Sequence, residues 1–359
     1  METNRRAVLK ASGIAALMGS TGLAGCSGGL LGGGNGSADS GPATWQYDPS
    51  VLGESPNVFF GSMDYATIYE NREFFPEDTR NSLEQTDSST PVNPEDIDFL
   101  SGVGGGSVSM MDNSGSGAGS VAVVGSFDRD AIADEIESQP DSSQVGEYEG
   151  YTLYESTTVG QQMGPDASGS ATVGVGDGAL VAGFAFASGT STSSSGRDAV
   201  ETAIDSSNGN ADRLRGNNEY ATTVADNVGD ATARFGGVGD PDLIDQYSAM
   251  ADSQTRTYVD GMRAGGFGMA LEGETTTFTV VIAYESSQAA GDTGLTDLVE
   301  GFGPQFEQEE GINSVGAEQN DSAVVITVEG DTQTLLQQAN QTGGMGGGVA
   351  SMSAPAGGY

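Results

Sequence analysis

The hydrophobic and polar positions from residue 58 to about residue 341 alternate between the periods of strands and of helices. Residues 121–127 begin with four consecutive apolar residues and end in Phe127, a pattern that is typical of a buried strand. Asp128 can cap a helix after this run, because Phe127 and Ile132 then occupy the two positions of a hydrophobic staple. Ile132 and Ile136 share one face of that predicted helix.

The same periods predict the other elements of this part of the chain. They are a strand at 151–154, a hairpin at 171–184 that turns at Asp177 and Gly178, a helix through Val200, Ala203 and Ile204, and a helix at 218–227.

After Gly229 the order of elements begins again. The predicted elements are a strand at 231–238, a helix from Asp240, a hairpin at 266–284, a helix through 295–302, a hairpin at 312–328 and a helix at 332–339. Hairpins replace strict βαβ units, so we expect an α+β fold of antiparallel sheets with helices packed on one face. The repeated order predicts two similar halves, at 45–229 and 230–341.

Charge is the strongest compositional feature of the 359 residues. Twelve basic residues face 51 acidic ones, for a net charge of −39, and the chain has no histidine. At molar salt the Debye length falls to about 3 Å, which screens this repulsion, so the composition indicates a halophilic protein. A disordered acidic chain and a polycation binder are the alternatives, and the apolar strands count against the first. Without a basic patch, nucleic acid is excluded as a partner.

The first residues predict export and lipid attachment. A twin-arginine motif precedes a short apolar run, and the run ends in a lipobox; these motifs consist of Arg5 and Arg6, then Leu23, Ala24, Gly25 and Cys26. The run is shorter than the ~20 apolar residues that a spanning helix needs. We therefore expect a signal peptide at 1–25 and a lipid on the Cys26 thiol. The protein would then be anchored at the cell surface, on the outer face of the cytoplasmic membrane.

Both ends of the mature chain are rich in glycine. Residues 26–44 comprise the lipidated cysteine and a Gly/Ser tether, which would span roughly 20–25 Å root-mean-square. Residues 342–359 are rich in Gly and Met without a period, so we expect a disordered tail.

The signal and tether, together with units such as 121–127 followed by 128–137, 148–154 and 173–184, resemble uncharacterised twin-arginine-exported surface lipoproteins of haloarchaea. The resemblance covers most of the chain. It implies a lipid-anchored location at the cell surface and a halophilic organism, and it implies no catalytic residues.

Missing side chains exclude several kinds of site. Without histidine there is no Ser-His-Asp site, and Lys10, in the signal, is the only lysine. Zinc and copper sites built from His and Cys are excluded because the single cysteine is the lipid acceptor. We predict no catalytic residue, no cofactor and no metal, although carboxylate pairs leave glycoside hydrolysis open and abundant oxygen ligands leave a structural calcium open.

Two short motifs have simpler interpretations than the sites they resemble. Asp292-Thr293-Gly294 resembles the aspartic-protease triplet, but its flanks favour a loop before a helix. The glycines at 174, 176 and 178 fit a dinucleotide fingerprint, but a strand follows them, so a hairpin turn is favoured. Candidate N-glycosylation sequons lie at Asn35, Asn320 and Asn340.

Together these features predict a non-catalytic binding or scaffolding module of the cell envelope. Its expected partners are the membrane, through the lipid on Cys26, and an envelope protein or small ligand. A solute-binding lipoprotein of a transporter and a carboxylate-only hydrolase are the alternatives. A cleft with two converging carboxylates would favour one of these alternatives.

Overall fold

The structure is a computed structural model that describes residues 41–53, 56–84, 92–109, 114–156, 167–189 and 194–341. In these ranges twelve strands form one antiparallel sheet, and eleven helices accompany it. The α+β fold class is confirmed. The signal, Cys26 and the predicted tail from residue 342 onward lie outside the described residues, as does the tether up to residue 40.

The strands are β1 Asn57–Asp64, β2 Ile97–Ser109, β3 Ser114–Gly125, β4 Ser142–Tyr148, β5 Tyr151–Ser156, β6 Ala167–Gly176, β7 Ala179–Ser188, β8 Ala233–Val238, β9 Met262–Glu272, β10 Thr275–Tyr284, β11 Ile312–Asn320 and β12 Ala323–Asp331.

The helices are α1 Tyr65–Glu70, α2 Glu77–Glu84, α3 Arg129–Glu137, α4 Gly196–Asn208, α5 Leu214–Asn217, α6 Glu219–Val228, α7 Pro241–Met250, α8 Ser253–Val259, α9 Ser287–Asp292, α10 Leu295–Phe306 and α11 Thr332–Gln341. Four 3₁₀ turns lie at Pro42–Trp45, Pro49–Leu52, Arg72–Phe74 and Pro94–Asp96.

The strand order contains one arrangement twice. Across the sheet it is β11-β12-β10-β9-β8-β1-β2-β3-β7-β6-β5-β4. Outward from β1 the order is β1-β2-β3-β7-β6, and outward from β8 it is β8-β9-β10-β12-β11. In each half the last strand therefore lies between the third strand and the second-to-last strand. The hairpin β4–β5 is an addition at one edge. β1 and β8 pair with each other and join the two halves. The boundary that the sequence places at 229 falls between α6 and β8.

Helices pack on both faces of the sheet, whereas the sequence predicted one. On the first face, α4 and α6 bury Val200, Ile204 and Val224. On the second face, α1, α3 and α11 contribute to a separate core that includes Ile68, Ile132 and Leu336. The physical reason lies in the central strands, since a run such as 121–124 presents apolar side chains to both faces and each face must be covered.

Glycine lets helices and rings lie flush on the sheet. A Cβ on Gly183 of β7 would lie 2.1 Å from the carbonyl oxygen of Gly196 at the start of α4. The ring of Phe184 lies over β3, where a Cβ on Gly119 would be 2.9 Å from its Cζ. Close approach therefore accounts for these glycines.

Candidate functional site

Only one of the predicted site residues has a described side chain. Asn320 ends β11, is exposed, and donates its side-chain amide to Oδ1 of Asn227 at 2.7 Å. Asn340 falls within α11. The other predicted site residues lie outside the described residues: Arg5, Arg6, Leu23, Ala24, Gly25, Cys26 and Asn35.

The two rejected motifs occupy the simpler structures that their flanks favoured. Thr293 is buried between α9 and α10, and its hydroxyl donates to the carbonyl of Ala290 at 2.7 Å. Gly294 takes a left-handed conformation at the N-cap of α10. Gly176 pairs with Ala179 across the turn between β6 and β7. Neither motif opens a site.

A polar cleft of about 580 Å³ lies beside α4. Its lining consists of residues 50–53, Tyr148, Ser194 and four residues of α4, namely Asp198, Glu201, Thr202 and Asp205. Asp198, Glu201 and Asp205 lie three and four positions apart, so they share one side of the helix.

Each cleft carboxylate already has a partner in the fold. Asp198 accepts from the backbone N–H of Ser195 at 2.8 Å and completes a capping box. Glu201 pairs with Arg197 at 2.6 Å on the same helix. Asp205 accepts from the Tyr148 hydroxyl at 2.9 Å. The hydrogen bond to Asp205, with a smaller contribution from burial, raises the pKa of Tyr148 to about 12, so this hydroxyl stays protonated at neutral pH.

Neither a cluster of metal-ligating side chains nor a helix suited to cross a membrane occurs among the described residues. Within the described ranges no three His, Cys, Asp or Glu side chains come together around a point where an ion could sit. No helix there is both long and apolar enough to cross a membrane.

The second face carries a row of partly buried apolar side chains that runs from the second half to β1. Phe235, Phe267, Val280 and Ile326 pair in that order across β8, β9, β10 and β12. Phe59, 47% exposed, lies on the same face of β1. We call these five residues the apolar row. The rings of Phe267 and Phe278 stack at 5.5 Å, which fixes the centre of the row.

The apolar row contrasts with the rest of the chain. None of its five side chains is charged, although the protein carries a net charge of −39. Phe235, Phe267, Val280 and Ile326 are each partly buried, Phe267 and Ile326 pack against core residues, and a minor part of each side chain reaches solvent. Exposed contiguous apolar surface of this kind marks interaction sites.

Sequence reasoning missed most of this row. The alternation in β10 predicted that Val280 shares a face with Phe278 and Ile282, but nothing joined that face to the neighbouring strands. The available signal was phenylalanine beside glycine inside a strand, as at Phe59, Phe235 and Phe267, each of which has a glycine within two positions. The rings of Phe235 and Phe59 lie over Gly61 and Gly237 of the neighbouring strand, where there is no side chain.

Comparisons with known proteins do not identify a family. No protein-family model matches the chain, and no curated protein sequence matches it. Crystal form IV of TP0453 is 9% identical with a TM-score of 0.39, and the match covers 82% of this chain and 98% of that chain. Crystal form III of TP0453 is 8% identical with a TM-score of 0.40, covering 84% and 97%. No function transfers at these values.

Proposed function

We propose that this protein is a lipid-anchored, non-catalytic binding or scaffolding module on the surface of a halophilic archaeon, and that it binds its partner on the apolar row. The single observation that carries the binding role is the partly exposed, uncharged row on a strongly acidic protein. Water leaves such a surface when an apolar partner covers it, and this stabilises the complex.

The cellular address rests on the order of motifs in the sequence. Paired arginines, a short apolar run and a lipobox ending at Cys26 precede the described fold, which begins at residue 41. Replacing Cys26 by Ser removes the thiol that would accept the lipid. We expect Cys26→Ser to move the protein from the membrane fraction to the medium, whereas Arg5→Lys with Arg6→Lys should block export.

The polar cleft supports a non-catalytic role. Acid–base catalysis needs a carboxyl group that is free to exchange a proton with a substrate. Asp198 instead holds the helix cap, Glu201 pairs with Arg197, and Asp205 accepts from Tyr148. A panel of glycosidase, esterase, phosphatase and peptidase substrates at molar salt should give no turnover. Turnover that an Asp or Glu amide variant removes, with the fold intact, would contradict this role.

Binding on the apolar row is tested with the lipidated protein in its own membrane. The protein is cross-linked, purified and examined for co-purifying envelope components. We expect Phe59→Ser to reduce recovery of the partner at least about tenfold, because the exposed ring would supply apolar contact area. Val51→Ser is the matched control, since Val51 is 54% exposed but lies at the polar cleft.

Equal recovery with Phe59→Ser and with the parent protein would remove the apolar row as the binding surface. Circular dichroism melts of both variants at molar salt separate loss of binding from loss of fold. Membrane fractionation of the same samples separates loss of binding from loss of the anchor.

A further inference from the structure

Two helices of the second half leave apolar side chains exposed. Tyr247 and Met250 on α7 are 48% and 69% exposed, and Leu298 and Phe302 on α10 are 37% and 43% exposed. Members of each pair are three or four positions apart, so each pair forms a stripe along one side of its helix. The only buried residue of α10 is Gly303.

Ion pairs at the start of β9 connect α7 to the segment that precedes α9. The Arg263 side chain, 12% exposed, contacts Asp245 of α7 at 3.3 Å and Glu285 at 2.6 Å, just before α9. Beyond α9, Leu295 of α10 packs against the small core around Tyr284. Val238 at the end of β8 and Ala283 near the end of β10 both pair with Ala264, so α7 and the segment that leads into α10 leave the sheet at the same end.

The length of the segment between Cys26 and the described fold bears on what covers these stripes. Residues 27–40, fourteen in number, separate Cys26 from the first described residue, Gly41. A glycine-rich segment of this length spans about 20 Å root-mean-square. If Cys26 carries the lipid, as the proposed function holds, the folded part stays within a short distance of a bilayer.

We propose that the stripes of α7 and α10 rest on the lipid surface of the anchoring membrane. Helices with one apolar and one charged side lie in the interface with the apolar side toward the acyl chains. The charged positions here are acidic, for example Asp242, Asp297 and Glu300, which are exposed. Contact is therefore apolar, and salt strengthens it on anionic lipid by screening repulsion between carboxylates and headgroups.

The test uses the mature chain, residues 26–359, with Cys26→Ser so that no lipid anchor contributes. The protein is sedimented with vesicles of phosphatidylcholine, or of phosphatidylcholine with phosphatidylglycerol, over a range of KCl in which it stays folded. We expect binding to both vesicles at molar KCl, and earlier loss from the anionic vesicles as KCl is lowered. The pairs Tyr247→Ser with Met250→Ser and Leu298→Ser with Phe302→Ser should each weaken partitioning about tenfold.

Val51→Ser is the matched control, and its partitioning should equal that of the parent. Absence of sedimentation of the parent chain with either vesicle at molar KCl overturns the proposal, as does an equal loss with Val51→Ser. Sedimentation velocity gives the other decisive outcome. A parent dimer that the serine pairs convert to monomer, without vesicle binding, would make the stripes an interface between copies. Because the test omits the lipid, its failure leaves the anchoring of Cys26 to be judged by cell fractionation alone.

Discussion

At the scale of single residues, the fold depends on glycines at positions that have no room for a side chain. Where α4 crosses β7, a Cβ on Gly196 would lie 2.7 Å from the carbonyl oxygen of Gly183, and a Cβ on Gly183 would be closer still to Gly196. Both obstacles are backbone atoms, which cannot rotate away. The helix would have to lift from the sheet to admit one methyl group.

Gly183→Ala should therefore lower the free energy of unfolding by about 2–3 kcal/mol. Gly316→Ala on the edge strand β11 is the matched control, because nothing lies within 4 Å of its Cβ position. The control should leave stability unchanged or slightly raised, since alanine restricts the unfolded chain. Urea titrations at molar KCl measure both values, and equal values would contradict close packing at Gly183.

Tyr284 links stability to alkaline pH. Its hydroxyl donates to the carbonyl of Tyr258 at 2.9 Å, and burial raises its pKa to about 12. The unfolded pKa is about 10, so the folded state binds this proton more tightly. Its contribution is complete below pH 10 and is lost as pH rises toward 12.

Tyr284→Phe should lower stability at neutral pH by about 1 kcal/mol and flatten the decline between pH 10 and 12. Tyr220→Phe, at a half-buried tyrosine of α6, controls for loss of a hydroxyl. Urea titrations across this pH range provide the comparison. An unchanged slope in Tyr284→Phe would assign the alkaline decline to other groups.

At the scale of elements, sequence patterns predicted the hairpins and helices that follow one clear period. The β9–β10 and β11–β12 hairpins, α4 and α6 are examples. β2 was not predicted, because Gly104, Gly105 and Gly106 lie in its centre and glycine is depleted in strands. Rings from another strand, such as that of Phe184, supply the missing packing. A pattern along one strand cannot contain that information.

The candidate site was less predictable than the fold for the same reason. Its residues pair across four strands of the second half, with Phe59 on β1 far away in sequence. The helical period through Leu298 and Phe302 predicted α10 but not that its apolar stripe stays exposed. Exposure is decided by what the rest of the chain leaves uncovered.

The N-terminal end of α4 offers a test of local helix signals. Ser195 and Asp198 form a reciprocal capping box there. Ser195→Ala should destabilise the protein by about 1 kcal/mol, because one amide of the first turn loses its acceptor. Thr202→Ala is the control within α4, since its hydroxyl bonds back to the Asp198 carbonyl at 2.6 Å and alanine is the better helix former. Thermal melts that rank the two variants in the opposite order would contradict the capping role.

At the scale of the whole molecule, one helix crosses from the first half to the second. By sequence α6 precedes the boundary at 229, yet it packs on the second half. A Cβ on Gly266 of β9 would lie 2.1 Å from Cγ1 of Val224 of α6. The halves repeat one strand order, and the core on the first face contains residues of both halves, such as Val200 and Val281. The second half therefore uses a helix that precedes the boundary to cover its sheet.

Net charge predicts that the stability of the fold depends on salt. With 51 acidic and 12 basic residues, repulsion opposes the compact state wherever it is unscreened. The mature chain with Cys26→Ser should melt cooperatively in molar KCl and lose structure in dilute buffer, as followed by circular dichroism. Stability at about 50 mM salt equal to that at molar salt would contradict halophilic adaptation. Rescue by a low concentration of calcium would instead indicate specific cation sites.

The strand nearest the tether in sequence lies in the middle of the sheet, and this decides how the protein resists a mechanical pull. β1 is bonded to β2 on one side and to β8 on the other. Trp45 and Tyr47, between the tether and β1, are buried. If Cys26 anchors the protein, as proposed, a pull on the N-terminal end of the described fold would act first on these two buried side chains and then on a strand that is hydrogen-bonded on both sides. A strand at the edge of the sheet has only one such ladder to lose, so a central strand should withstand a larger force along the chain.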